Sequence, residues 1–396
     1  MTSSLPVAEQ DLLARISADA IVDLTTALIA EPSENPGGTE AGTVGVLADA
    51  CRTAGLGVEV VEAAPGRPNL IATLGERSAR GTVLFLGHSD VVPAGDGWTA
   101  DPFAAQVRDG RLIGRGATDM KGGLAAIVAA MSALADIGID GRVEFVCTVD
   151  EEAGGLGARS YVASRADRAD DVIGAIVAEP TALRAVHAGR GTANVDVDVS
   201  GKAAHSGRPD DGCSAIAVAG QILTVIADDG RRLATNPHPD LGPATWNVGT
   251  IVGGQGINVV AADCRMGVDR RLLPDEEIAV VADGLRARIA DLALPDEASV
   301  TVTVDSETPA FATALDHPIT IAAADALTAL GRDPVPRVWS AACDAGFLYR
   351  DLGIASIVLG AGDINTQAHQ VDESVPVDDL VTAAQLYALI ARRLVG

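Results

Sequence analysis

Four short stretches of the chain are apolar almost without a break: 82–87 (TVLFLG), 143–149 (VEFVCTV), 172–178 (VIGAIVA) and 355–360 (ASIVLG). Runs of this length without alternation suit strands covered on both faces, as in a parallel sheet with helices on either side. Between them apolar positions recur at helical spacing, as in GGLAAIVAAMSALADIG (122–138). A helical pattern also fills 5–30, and EPSENPGG (31–38) stops it. Strands alternating with helices predict an α/β layer.

The middle of the chain has a different texture. VDVDVS (195–200) alternates strictly, as a half-solvated antiparallel strand does. A helical pattern comes next at 211–230, strand patterns at 245–253 and 262–272, a second helix at 275–294 and a last alternating strand at 299–306. The order β-α-β-β-α-β is the split βαβ arrangement. Residues 187–300 therefore read as a smaller α+β domain inserted into a larger α/β domain made of 1–186 and 301–396.

Composition narrows the function. The 396 residues carry 29 Lys+Arg against 54 Asp+Glu, a net charge of -25, with no basic run. A polyanion partner such as nucleic acid is excluded on that balance. Aromatic residues make up only 3%, too few for a base-stacking platform. Cys51, Cys147, Cys213, Cys264 and Cys343 are scattered and odd in number, so neither a disulfide framework nor a thiolate metal site is expected. The N-terminal residues lack the apolar core of a secretory signal, and no apolar run reaches the ~18–20 residues of a membrane span. The expectation is a cytoplasmic protein with no membrane association.

In open α/β sheets ligands bind beyond the carboxyl ends of the strands, so the residues just past each apolar run carry the most information. His88 and Asp90 come after the first; Asp150, Glu151 and Glu152 after the second; Glu179 after the third; and a loop with His369 after the fourth. Asp119 sits in GRGATDMKGG, a glycine-rich loop before a helix. Two imidazoles and several carboxylates at one rim suit zinc or a similar divalent ion, with ligands enough for two ions sharing a bridge. Without a cation the same acids would repel one another. Asp90, two residues after His88 on an extended segment, points the same way and is placed to hold the far imidazole nitrogen. Glu151 and Glu152, as neighbours on an extended strand end, would point to opposite sides. One would ligate while the other takes a proton from the attacking water; the residues alone do not say which.

PSENPGG (32–38), GHSDVVPAG (87–95), DPFAAQVRDGRLIGRGATDMKGG (101–123), TVDEEAGG (148–155), AEPT (178–181), GKAAHSGRPDDGCSAI (201–216), NVV (258–260), DRRLLP (269–274) and GAGDINTQAHQVDE (360–373) span both domains. Through them the chain resembles the dinuclear-zinc peptidases and deacylases that include acetylornithine deacetylase, succinyl-diaminopimelate desuccinylase, aminoacylase and glutamate carboxypeptidase. The resemblance implies a mostly parallel sheet sandwiched by helices with an inserted ferredoxin-like lid. It implies two Zn2+ per subunit, with Co2+ or Mn2+ as substitutes. His88, Asp119 and Glu179 would hold one, and Asp119, Glu152 and His369 the other.

It further implies Glu151 as general base, Asp90 as the carboxylate behind His88, and a homodimer formed through the inserted domain. His205 would reach the partner's site and support the oxyanion, and Asn258 and Arg271, rather than Arg270, would contact the substrate carboxylate. His187, His238 and His317 match no motif and are read as structural. Two positions depart from the family pattern: Ala261 replaces a frequent proline, and Gly346 stands where many members have a basic residue. The expected substrate is a small N-acylated amino acid, with acetylornithine deacetylase-like chemistry first. A desuccinylase or a dipeptidase/carboxypeptidase of the same family is the alternative.

Overall fold

A computed structural model describes residues 5–165 and 171–396. The chain forms two compact units, one of Met1–Ala188, Phe311–Val338 and Cys343–Gly396, the other of Gly189–Ala310 and Trp339–Ala342.

The first unit is built on a mixed sheet, nine-stranded among the described residues. The four apolar runs form its centre: Arg142–Thr148, Thr82–His88, Val172–Val177 and Ser356–Val358 lie side by side in that order, all parallel. Arg67–Gly75 and Gly57–Ala64 extend the sheet antiparallel beyond Arg142–Thr148. Every residue of Thr82–His88 is buried. Helices therefore cover both of its faces, which is why its sequence does not alternate.

Helix Lys121–Ile137 is largely enclosed, with buried residues around its circumference over Lys121–Leu134. It packs against Val377–Val395 and Ala18–Ile29. Each Leu or Ile fully buried there contributes about 1.5–3 kcal/mol. The helical pattern expected over 5–30 is two helices, Val7–Leu13 and Ala18–Ile29. Ser17 adopts extended backbone and accepts a hydrogen bond from the Ala20 amide at 3.2 Å, capping the second helix and ending the continuity.

The second unit is a four-stranded antiparallel sheet in the order Thr245–Gly253, Asp263–Leu272, Gly191–Ser200, Ser299–Thr308. Helices Ala215–Leu233 and Ile278–Ala290 share a core with Val195, Val197, Val199, Met266 and Val268. Along Asp263–Leu272 burial alternates: Cys264, Met266, Val268, Arg270 and Leu272 point inward, and Arg265, Asp269 and Arg271 outward. The five cysteines are free and buried. Among the described residues no helix is long and apolar enough to cross a membrane.

Candidate metal centre

Because the four central strands are parallel, their carboxyl ends share one edge of the first unit. His88 is the last residue of its strand, Glu179 lies two residues past Val177, and His369 lies on the loop after Ser356–Val358. Asp119 precedes helix Lys121–Ile137. Two glycines let these segments close on one another. A Cβ on Gly123 would lie 2.8 Å from the Ala178 carbonyl oxygen, and one on Gly360 2.5 Å from that of Glu179. The helix and the loop thus press directly against the backbone that carries Glu179.

Asp119 stands between two groups. Its Oδ1 is 3.3 Å from His88 Nε2, and that nitrogen is 3.5 Å from Glu179 Oε1. Its Oδ2 is 3.4 Å from His369 Nε2, which is 3.3 Å from Glu152 Oε2. In each set, His88–Asp119–Glu179 and Asp119–Glu152–His369, the ligand atoms lie within 4.8 Å of one another. The donors are all nitrogen and oxygen, as a zinc-like ion prefers. Glu152 Oε1 is buried with no hydrogen-bond partner, which a neighbouring cation would satisfy. The residues present therefore fit two divalent ions bridged by one carboxylate.

Protons are unevenly shared across this edge. Burial, with the charge of Asp119, pushes Glu179 well above the usual carboxylate range. Burial does the same to Glu151, helped by Glu179, Asp344 and Glu152. Asp119 goes the other way: although buried, it is held low by hydrogen bonds to His369 and His88. Burial disfavours a charged His88, yet Glu179, Asp119 and Asp90 lift it well above its ordinary value. Hydrogen bonds to Asp119 and Glu152 raise His369 to about 10. A divalent cation would take the place of these protons.

Glu151 and Glu152 diverge for a different reason from the one expected. The strand stops at Thr148, and the backbone turns at Asp150, which has φ 68°. The Asp150 carbonyl accepts from the Gly154 amide at 3.0 Å and the Gly155 amide at 2.6 Å, so both glutamates sit in a turn. Asp90 braces that turn: its carboxylate accepts from the Glu151 amide at 3.2 Å and the Glu152 amide at 3.1 Å. The atom of Asp90 nearest His88 Nδ1 is its carbonyl oxygen, at 2.9 Å; its carboxylate lies at 3.5 Å.

In the second unit, His205 and Asn258 are exposed and adjacent, joined by a bridge between His205 and Val259 and by the Ser206 amide donating to the Asn258 carbonyl at 3.1 Å. Arg271 is on the outward face beside Asp269, 2.9 Å away. Arg270 is buried, pairs with Glu276 and lies over the Trp246 ring at 5.0 Å, so it is committed to the interior of this unit. The three remaining histidines have structural partners. His187 Nδ1 is 3.0 Å from the Thr313 carbonyl, His238 Nδ1 accepts from the Asp240 and Leu241 amides at 3.2 Å, and His317 caps helix Pro318–Ala329.

Several residues that pattern reading passed over complete the centre. Asn35 donates to Asp90 and Asp150. Arg67 pairs with both Asp150 and Glu40. Buried Lys121 donates to the Leu28 and Glu31 carbonyls at 2.9 and 2.8 Å, and burial lowers it to about 7. Asp344, which accepts from Thr148 Oγ1 at 2.7 Å, is raised by burial to about 6. Glu373 is fully enclosed behind Asp119. Asn35, Lys121 and Glu373 lie in quoted motifs and Arg67 and Asp344 outside them, but a single buried polar residue leaves no periodic trace in either case.

A family model described as Peptidase family M20/M25/M40 matches residues 84–393. A succinyl-diaminopimelate desuccinylase of Gluconacetobacter diazotrophicus is 33% identical over 389 residues, covering 93% of this chain and 95% of that one. An acetylornithine deacetylase of Proteus mirabilis is 32% identical over 375 residues, 91% of this chain and 93% of that one. Among solved structures, an aminopeptidase PepT from Bacillus cereus superposes with a TM-score of 0.77 at 24% identity, covering 96% of this chain and 99% of that one.

Proposed function

The chain belongs to peptidase family M20/M25/M40, a family of metal-dependent amidohydrolases, and from that premise we propose that it removes the acyl group from the α-amine of an N-acyl amino acid, with acetyl as the leading acyl group. The observation that carries the reading is Asp119, whose two oxygens face two separate ligand sets. His88, Asp119 and Glu179 would hold one zinc ion, and Asp119, Glu152 and His369 the other. Bound there, the ions would polarise the scissile carbonyl and acidify the attacking water.

The rest of the chemistry falls to side chains. Glu151 belongs to neither ligand set, and its raised proton affinity lets it take the water's proton and deliver it to the leaving amine. Asp90 fixes the turn from which Glu151 projects. His205 would stabilise the developing oxyanion across a homodimer formed through the second unit, and Asn258 and Arg271 would bind the substrate carboxylate. These three roles rest on the family resemblance, with His205 and Asn258 exposed and Arg271 on the outward face of its strand.

Desuccinylation of a diaminopimelate is the second reading, supported by the 33% identity to the Gluconacetobacter enzyme. A hydrolysis panel of N-acetyl-ornithine, N-succinyl-diaminopimelate, other N-acetyl amino acids and dipeptides tests both. The highest kcat/KM is expected on an N-acetyl amino acid; preference for the succinyl substrate would transfer the assignment, and preference for dipeptides would overturn both. Metal analysis of the purified protein should find close to two divalent ions per chain.

A further inference from the structure

Glu373 and Arg115 are each almost wholly enclosed, at 1% and 2% exposure, and pair at 2.7 Å. The carboxylate of Glu373 is fully committed. Oε1 accepts from the amides of Thr118 and Asp119 at 2.8 and 2.9 Å, and Oε2 from the amide of Gly116 at 3.1 Å and from Arg115. The guanidinium of Arg115 reaches in the other direction, to the carbonyls of Gln370 and Ala94, each at 3.3 Å, and stacks over Trp98 at 5.1 Å. One member of the pair therefore grips the backbone of Asp119, and the other grips the residue next to His369.

A buried ion pair is a weak source of stability, because desolvating two charges offsets most of their attraction. It does fix geometry when its two members are hydrogen-bonded to separate backbone segments, and here those segments carry two of the three residues of one candidate set. The His88 strand, by contrast, is held in place by parallel pairing on both sides within the sheet. We infer that the Arg115–Glu373 pair is the positioning device of the Asp119–Glu152–His369 site, holding Asp119 and His369 at the spacing a divalent ion needs. The inference rests on the two-ion reading above.

Zinc titration of the metal-free protein, monitored with a competing chromophoric chelator, tests it. In Glu373→Gln, which keeps the shape but not the charge, the second ion, at the Asp119–Glu152–His369 set, should bind roughly 10–100-fold less tightly, as when other groups supporting metal ligands are removed. The first ion should change much less. Arg115→Lys keeps the charge but shortens the reach to Gln370 and should show the same selective loss, which guards against a folding failure in the first variant. Glu144→Gln is the control, since it disrupts a similarly buried cluster with Arg142, Arg165 and Tyr161 in the same unit. It should lower Tm without moving either zinc affinity.

Unchanged affinities in both variants, or a loss of both ions matching the Glu144→Gln control, would overturn the inference. A wild-type protein that takes up a single ion would instead overturn the two-ion reading. The positioning role would then stand or fall on that ion's affinity in Glu373→Gln. No uptake at all would overturn both.

Discussion

The side-chain amide of Asn35 donates to the carboxylate of Asp90 at 2.8 Å. It also reaches Asp150 at 3.0 Å, which Arg67 holds from the far side at 3.0 Å. Asp90 in turn accepts the amides of Glu151 and Glu152. Asp150, the acid of the triplet to which pattern reading gave no role, is thus a structural anchor that lets the next two residues point where they do. Asn35→Ala should leave buried Asp90 and half-buried Asp150 each short of a donor and cost about 1–3 kcal/mol of stability. It should also lower kcat roughly 10-fold or more by loosening the turn. Metal content should be retained; thermal melts, metal analysis and steady-state kinetics on one preparation check all three.

The two glutamates should separate cleanly. Glu151→Gln removes the proton carrier and should reduce kcat roughly 10²–10⁴-fold with both ions retained. Glu152→Gln should lower metal occupancy instead. Metal content measured beside turnover decides the matter, and identical behaviour in the two variants would refute the division of labour.

Zinc binding at the His369 set should depend on pH. His369 is raised to about 10 by hydrogen bonds to Asp119 and Glu152, and an ion must displace its proton. Apparent affinity should climb with pH throughout the range below about 10 and level off there. In the metal-free fold the sign is reversed. The folded state holds the extra proton, so this contribution to stability is complete below about 6.5 and is lost as pH rises through about 10. His369→Gln should flatten both profiles, read by zinc titration and by melting curves across pH.

Arg270 and Arg271 are neighbours with opposite fates. Arg270→Ala leaves Glu276 without its buried partner and should destabilise the second unit by about 3–5 kcal/mol. Arg271→Ala should keep the melting temperature and raise KM, with kcat less affected, because a binding contact shared by ground and transition states is lost. Calorimetry and kinetics on the pair of variants separate the roles.

The sheet and its active edge were readable in the sequence because long-range order left local marks. Strands covered on both faces cannot alternate, so 82–87, 143–149, 172–178 and 355–360 stood out, and parallel pairing then placed their ends together. The side chains that hold those ends left no such mark. Asn35, Arg67 and Glu373 are solitary polar residues whose partners are distant along the chain. The turn at Asp150 was hidden for a similar reason: left-handed backbone at a non-glycine residue is dictated by its partners, not by local propensity. The break before Ser17 was legible in principle as a helix cap, but apolar spacing on both sides masked it.

The ligands enter the chain in the order His88, Asp119, Glu152, Glu179 and His369, with the whole second unit between the last two. The His88–Asp119–Glu179 set is complete before that unit begins, whereas the other set waits for nearly the entire polypeptide. On the two-ion reading, the residues proposed for one ion are all present in the sequence before the second unit begins, whereas those proposed for the other are complete only at His369. A chain ending short of His369 lacks a member of that set, so on the same reading it should hold at most one ion, which metal analysis of the truncated protein checks.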